Sequence, residues 1–154
     1  MPDTPGRALR IEDFPVTTVL TTRWADNDAL HHLNNAVHYQ LFDTAINGWI
    51  AGALPDVVAA GEIVAVVAES GCSYYGELRF PDDVVVGLRV ERLGTTSVTY
   101  GLGLVGRTRD GTTPAGATIA AKGRWVHVYV DALTRRPTSI PEPLRALFET
   151  ARVE

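Results

Sequence analysis

The whole chain contains one cysteine, Cys72. An internal disulfide is therefore impossible, and so is a metal cage built of thiolates alone. Lysine is equally scarce: Lys122 is the only one, and the other basic residues are arginines. No basic run with interleaved aromatics occurs, which argues against nucleic acid as a partner. No apolar stretch reaches membrane-spanning length, and the first residues, with Pro2 and Pro5, form no apolar signal segment. The expectation is a soluble, cytoplasmic protein with no membrane partner. Apolar residues are not in short supply. They make up 45% of the 154 residues, too many for a disordered tail and enough for the core of one ordinary domain. No repeat, low-complexity tract or linker divides the chain, so one domain over 1–154 is expected.

Residues 1–15, with Pro2, Pro5, Gly6 and Pro15, read as a loose lead-in. Val16–Trp24 is β-branched and reads as a strand. Ala25–Leu33 is polar and holds two Asp, one Asn and two His. Asn34 or Asn35 is then the expected N-cap of a helix reaching about Gly52. Gln40, Asp43, Thr44 and Asn47 form one narrow polar stripe on it. Val37, Leu41, Phe42, Ala45, Ile46, Trp49 and Ile50 fill the rest of its girth, so the helix is expected to be buried on more than one side.

After Gly61 the pattern is strands: Glu62–Tyr75, with a bulge expected at Gly71, then Asp82–Leu93, Thr95–Arg107 and Ala117–Val130. Val84, Val86, Leu88 and Val90 share one face, as do Val98, Tyr100, Leu102 and Leu104. Gly101 and Gly103 share the opposite face and predict close packing by the helix or a neighbouring chain. Asp110-Gly111 is a hairpin signal. Residues 140–154 read as a tail with a short helix. One early helix followed by consecutive antiparallel strands defines an α+β domain, a sheet wrapped around one helix. A single helix leaves the ends of such a sheet uncovered, so a homodimer or homotetramer is expected, with pairing edge to edge.

The chemistry concentrates in Arg23–Ala45. Asp26 and Asp28 stand between a strand end and a helix N-terminus, where backbone N–H groups lack partners and carry partial positive charge. A thioester carbonyl placed there would be polarised and its oxyanion stabilised, while a carboxylate beside it attacks the carbonyl or activates water. By itself an Asp before a helix reads as a cap or turn residue.

The stretch Trp24-Ala25-Asp26-Asn27-Asp28-Ala29-Leu30-His31-His32-Leu33-Asn34-Asn35-Ala36, followed by Phe42-Asp43, carries more. It resembles the signature of the 4-hydroxybenzoyl-CoA thioesterase-like family of hotdog proteins. Tyr75 to Asp82, Thr95 to Val98, Val130-Asp131 and Arg136 to Pro141 continue the likeness along the chain. The resemblance implies a hotdog fold and an acyl-CoA thioesterase. It also implies Asp28 as catalytic carboxylate, the Asn35 backbone amide as oxyanion donor, and no metal or redox cofactor. Three residues depart from the pattern: His31 replaces a glycine, His38 a first-turn tyrosine, and Glu77 a proline. His31 is expected to line the site, where it narrows the acyl pocket or adds an acid–base group. His32, Asn34 and His38 are expected around the substrate. Among Arg79, Arg89, Arg92, Lys122 and Arg124, Arg79 and Arg89 are the named candidates for the phosphates of coenzyme A.

The plainer readings stand beside these. Asp26 is read as holding the loop through backbone amides, and His32 as a hydrogen-bond partner within it. The spacing of His31, His32 and His38 with Asp26 and Asp28 matches no common zinc motif. Cys72 reads as a small buried residue and His127 as sheet packing or a polar tip at an edge. Competing functions are an acyl-carrier-protein thioesterase, a non-catalytic acyl-binding module and a hotdog dehydratase or hydratase. The acidic chain offers no evident basic docking patch for a carrier protein, and a mere binder gains nothing from a carboxylate beside a carbonyl.

Overall fold

The computed structural model describes residues 8–114 and 116–154. Pro2, Pro5 and Gly6 of the expected lead-in lie outside them. The elements run β1 (Val16–Leu20), α1 (Asn35–Ala53), α2 (Pro55–Ala60), β2 (Ile63–Tyr74), β3 (Asp83–Leu93), β4 (Ser97–Arg107), β5 (Ala121–Asp131) and α3 (Glu142–Thr150). All strand pairings are antiparallel, in the order β1-β3-β4-β5-β2.

The alternation read from the sequence sets the two faces of the sheet. Val84, Val86, Leu88 and Val90 of β3 and Val98, Tyr100, Leu102 and Leu104 of β4 are all at most 1% exposed. They face α1, whose buried stripe is Val37, His38, Leu41, Phe42, Ala45, Ile46 and Ile50. Gln40, Asp43, Thr44 and Asn47 are exposed, as their shared stripe predicts. Phe42 is fully buried because Gly123 of β5 leaves room: a Cβ there would lie 2.6 Å from the Phe42 ring. Burial of each large aliphatic side chain in this layer contributes about 1.5–3 kcal/mol. α3 closes the core, with Phe148 packed against Tyr100, Tyr129 and Trp49. Beyond β1, the chain after α3 bonds to both backbone groups of Val90, so this length of the β3 edge is not left open.

Several expectations are corrected. The first strand stops at Leu20 rather than Trp24, and Trp24–Asp26 forms a 3₁₀ turn. The last strand begins at Ala121, not Ala117. The β2 bulge is at Ala68: Val67 pairs with His127 and Glu69 with Val126, while Gly71 pairs regularly with Arg124. The face with Gly101 and Gly103 is packed not by a helix but by the residues before β1 and by side chains of β3. Phe14 lies over Gly87 and Gly103, and the paired side chains of Arg89 and Glu91 cover Gly101. Residues 8–15 are thus not loose. Ile11–Asp13 forms a 3₁₀ turn, and Phe14, 5% exposed, seals the outer face of the sheet with Val105 and Ile119.

Candidate active site

The segment between β1 and α1 is tied down from both ends. Asp26 is buried and accepts the Arg23 backbone N–H at 2.7 Å and its guanidinium Nη2 at 2.8 Å. Burial alone would raise its carboxyl; the hydrogen bonds and charge of Arg23 outweigh that and hold it below the usual range. The Asp26 carbonyl in turn accepts Asn34 N–H at 2.9 Å. Asn27 clasps the next segment, accepting Phe80 N–H at 3.0 Å, and the Leu78 carbonyl accepts Leu33 N–H at 2.7 Å. These bonds also bring Arg79, paired with Glu77 at 3.1 Å, into the segment alongside the Asp28 loop.

Asp28 sits in a tight loop of its own. Its N–H donates to the His32 carbonyl, and its carbonyl accepts His31 N–H, both at 3.0 Å. Its Oδ1 accepts Leu30 N–H at 2.8 Å and stands 4.0 Å from His32 Nδ1. The carboxylate is 25% exposed, and Oδ2 has no hydrogen-bond partner among the described residues. His31 closes the loop with φ +64°, the left-handed conformation that a glycine adopts without strain. Its side chain is exposed.

α1 starts four residues later, at Asn35, with Asn34 as N-cap. The Asn34 side chain accepts Ala36 N–H at 2.9 Å and its carbonyl accepts Val37 N–H at 2.9 Å. Asn35 N–H is left as the first-turn amide without an acceptor among the described residues. On the far side of that turn Tyr74, the last residue of β2, donates its hydroxyl to the Asn35 carbonyl at 3.2 Å. His38 is buried at the end of the first turn, its ring edge-on to Tyr74 with centroids 4.9 Å apart. Burial pushes the Tyr74 phenol up to about 12, with Cys72 and Tyr39 adding to the shift. Tyr74, Asn27 and the Leu78 carbonyl were not marked as site residues by the sequence; only the fold brings them there.

The expected site residues divide accordingly. Asp28, His31, His32, Asn34, Asn35 and His38 come together at the start of α1, with Arg79 on the neighbouring segment. Arg89 does not join them. It lies on the sheet face opposite α1, paired with Glu91 at 2.8 Å and stacked over the Phe14 ring at 5.4 Å. His127 is 3% exposed under α1 and accepts the Trp125 indole N–H at 3.0 Å, so it is part of the packing. Cys72 is partly buried against the core. Among the described residues no group of three His, Cys, Asp or Glu side chains is arranged to hold a metal.

An antiparallel sheet laid along one long helix is the hotdog fold. The thioesterase-like superfamily model matches residues 22–148, and the chain belongs to that superfamily. Among solved structures, the PA5185 protein from Pseudomonas aeruginosa strain PAO1 is 34% identical, with a TM-score of 0.83 over 93% of this chain and 95% of that one. A thioesterase from Thermus thermophilus, solved with coenzyme A and zinc, is 30% identical, with a TM-score of 0.67 over 86% and 96%. The SAV2348 protein of Staphylococcus aureus, solved with coenzyme A, shares the fold at 19% identity and a TM-score of 0.73, covering 90% and 85%. No curated protein matches the chain.

Proposed function

We propose that this thioesterase hydrolyses acyl-coenzyme A, with Asp28 as the catalytic carboxylate and the Asn35 N–H as the oxyanion donor. The observation that carries the proposal is a first-turn amide of α1 and a carboxylate oxygen of the braced loop before it, both without a hydrogen-bond partner among the described residues. The thioester carbonyl oxygen takes the Asn35 N–H, and negative charge develops on it there. Either Asp28 adds to the carbonyl carbon and water later frees the acid, or Asp28 takes a proton from the water that adds. In both routes the C–S bond breaks and the coenzyme leaves as the thiol. The Thermus relative solved with coenzyme A supports that leaving group. Arg79, at the side of the loop, is the residue assigned to its phosphates in this reading.

The acyl group runs along the open side of α1. On the inner face of β2, Ala65, Val67 and Ser70 are exposed beyond the helix's cover; Val67 is 49% exposed, whereas its β5 partner His127 is buried. β2 is also a free edge, with Val66 37% exposed beside Val67. A second copy pairing along β2 would complete the groove and bury these valines, so the active unit is a homodimer or a homotetramer built from it. A thiol-release assay over a panel of acyl-coenzyme A thioesters tests the activity; no release from any of them rejects the proposal. Light scattering tests the assembly, and a monodisperse monomer at micromolar concentration rejects that part.

A further inference from the structure

The peptide unit that ends in the Asn35 N–H begins with the Asn34 carbonyl. That carbonyl accepts Val37 N–H at 2.9 Å and also meets His38 Nδ1 at 3.2 Å. A carbonyl oxygen has no proton to give, so Nδ1 holds the hydrogen and donates it. The ring has little freedom to do otherwise: it is 4% exposed and held edge-on against Tyr74. Burial, the largest influence, pushes its pKa down, the Asn34 carbonyl pulls it up, and His32 pushes it down again; the net lowering favours the neutral ring. A donor on the C=O of a peptide draws electron density from the amide and strengthens the N–H at its other end, because hydrogen bonds in a chain polarise one another.

We infer that His38 is a positioning residue for the thioester: through the Asn34–Asn35 peptide it orients and polarises the N–H that receives the oxyanion. This rests on the reading of Asn35 given above. His38 acts with no contact to the substrate, so its effect falls on the chemical step rather than on binding.

Two substitutions separate this from packing. His38→Phe keeps an aromatic ring against Tyr74 and removes the donor. His38→Gln keeps an N–H able to reach the carbonyl. On an acyl-coenzyme A that the wild type hydrolyses, His38→Phe lowers kcat about tenfold, a fraction of the roughly 10²–10³ that one oxyanion donor contributes, with KM within about twofold. His38→Gln recovers most of that loss. Should His38→Phe fail to fold, His38→Tyr takes its place. A second readout needs no activity: the Asn35 backbone amide resonance moves in His38→Phe and returns toward its wild-type position in His38→Gln. An unmoved Asn35 resonance, an unchanged kcat, or a glutamine variant as impaired as the phenylalanine one overturns the inference. A wild type inert toward every thioester rejects the thioesterase reading, and the resonance comparison still decides whether His38 polarises this peptide.

Discussion

Tyr74 donates its hydroxyl to the Asn35 carbonyl at 3.2 Å and so fastens the end of edge strand β2 to the first turn of α1. The bond joins an element that is largely exposed to the helix start that carries the proposed oxyanion donor. Tyr74→Phe removes that tie and leaves the ring beside His38. Tyr74 as a whole is 46% exposed, so the stability cost is small, about 0.5–1.5 kcal/mol. Turnover falls by more than this cost implies, because the first turn loses one of its anchors. Melting curves and kcat measured on the same preparation check both halves; an unaltered kcat rejects the anchoring role.

Phe14 is the second long-range tie. A Cβ at Gly87 would lie 2.5 Å from the Phe14 ring, and one at Gly103 would lie 2.7 Å from it and 2.9 Å from Ile119. Gly87→Ala therefore costs about 1–3 kcal/mol through overpacking, and Phe14→Ala costs about 3 kcal/mol or more through the cavity it leaves. In the double variant the alanine at 87 has no ring to strike, so the two costs do not add. Denaturant titrations of the four proteins in this cycle test the contact.

Asp26→Asn is expected to act on stability more than on turnover. The buried carboxylate is held below its usual range by Arg23, so its folded-state pKa lies under its unfolded one. Its contribution is then present above the unfolded value, about pH 4, and is lost as pH falls through the folded one. The variant should melt lower than the wild type at pH 7, by an amount equivalent to about 1.5–3 kcal/mol for a hydrogen bond to a charged group. The gap should close in acid. A gap independent of pH from 7 down to 2 excludes the charge as its cause.

These residues also mark how far the sequence could be read. The strand alternation of β3 and β4, the polar stripe of α1 and its asparagine cap depend on local spacing, so they were legible without coordinates. Asp28 and Asn35 were placed by resemblance, and local hydrogen bonds explain why they stand together. The expected bulge at Gly71 failed because glycine marks where a bulge is cheap, not where the register needs one; the change of face falls at Ala68. Phe14 and Tyr74 were missed because their partners lie 73 (87 − 14) and 39 (74 − 35) residues away, and no local pattern encodes such a meeting. Arg89 was proposed for coenzyme A on charge alone, and its position in an alternating strand sends it to the face opposite α1.

His31 tests backbone strain separately from chemistry. Its φ of +64° explains why glycine suits the position, and the ring is exposed. His31→Gly should leave stability unchanged or raise it by up to about 1 kcal/mol. If the ring shapes the acyl pocket, the preference among acyl-coenzyme A substrates shifts while appreciable turnover remains. Complete loss of hydrolysis in a folded His31→Gly protein would assign the imidazole a direct part in catalysis instead.

Asp28→Asn is the deciding substitution. The amide matches the carboxylate in size, and its oxygen can still accept Leu30 N–H, so the loop between Asn27 and His32 keeps its shape. The neighbouring ties do not involve the Asp28 side chain: Asp26 to Arg23, Asn27 to Phe80, and Leu33 to Leu78. Folding and binding of the thioester should therefore survive. What disappears is the negative charge on an oxygen that has no hydrogen-bond partner among the described residues. An amide neither adds to a thioester carbonyl nor takes a proton from water, so both routes open to Asp28 close together. Turnover should fall by at least about a hundredfold, the lower end of what general base catalysis contributes, with KM little changed. Hydrolysis and thermal melts of Asp28→Asn and Asp26→Asn, run side by side, separate chemistry from scaffold. Loss of turnover with a native melt in the first, and a lowered melt with residual turnover in the second, is the expected pattern. Near-native turnover by Asp28→Asn on a substrate that the wild type hydrolyses well would remove Asp28 from the mechanism and leave only the fold.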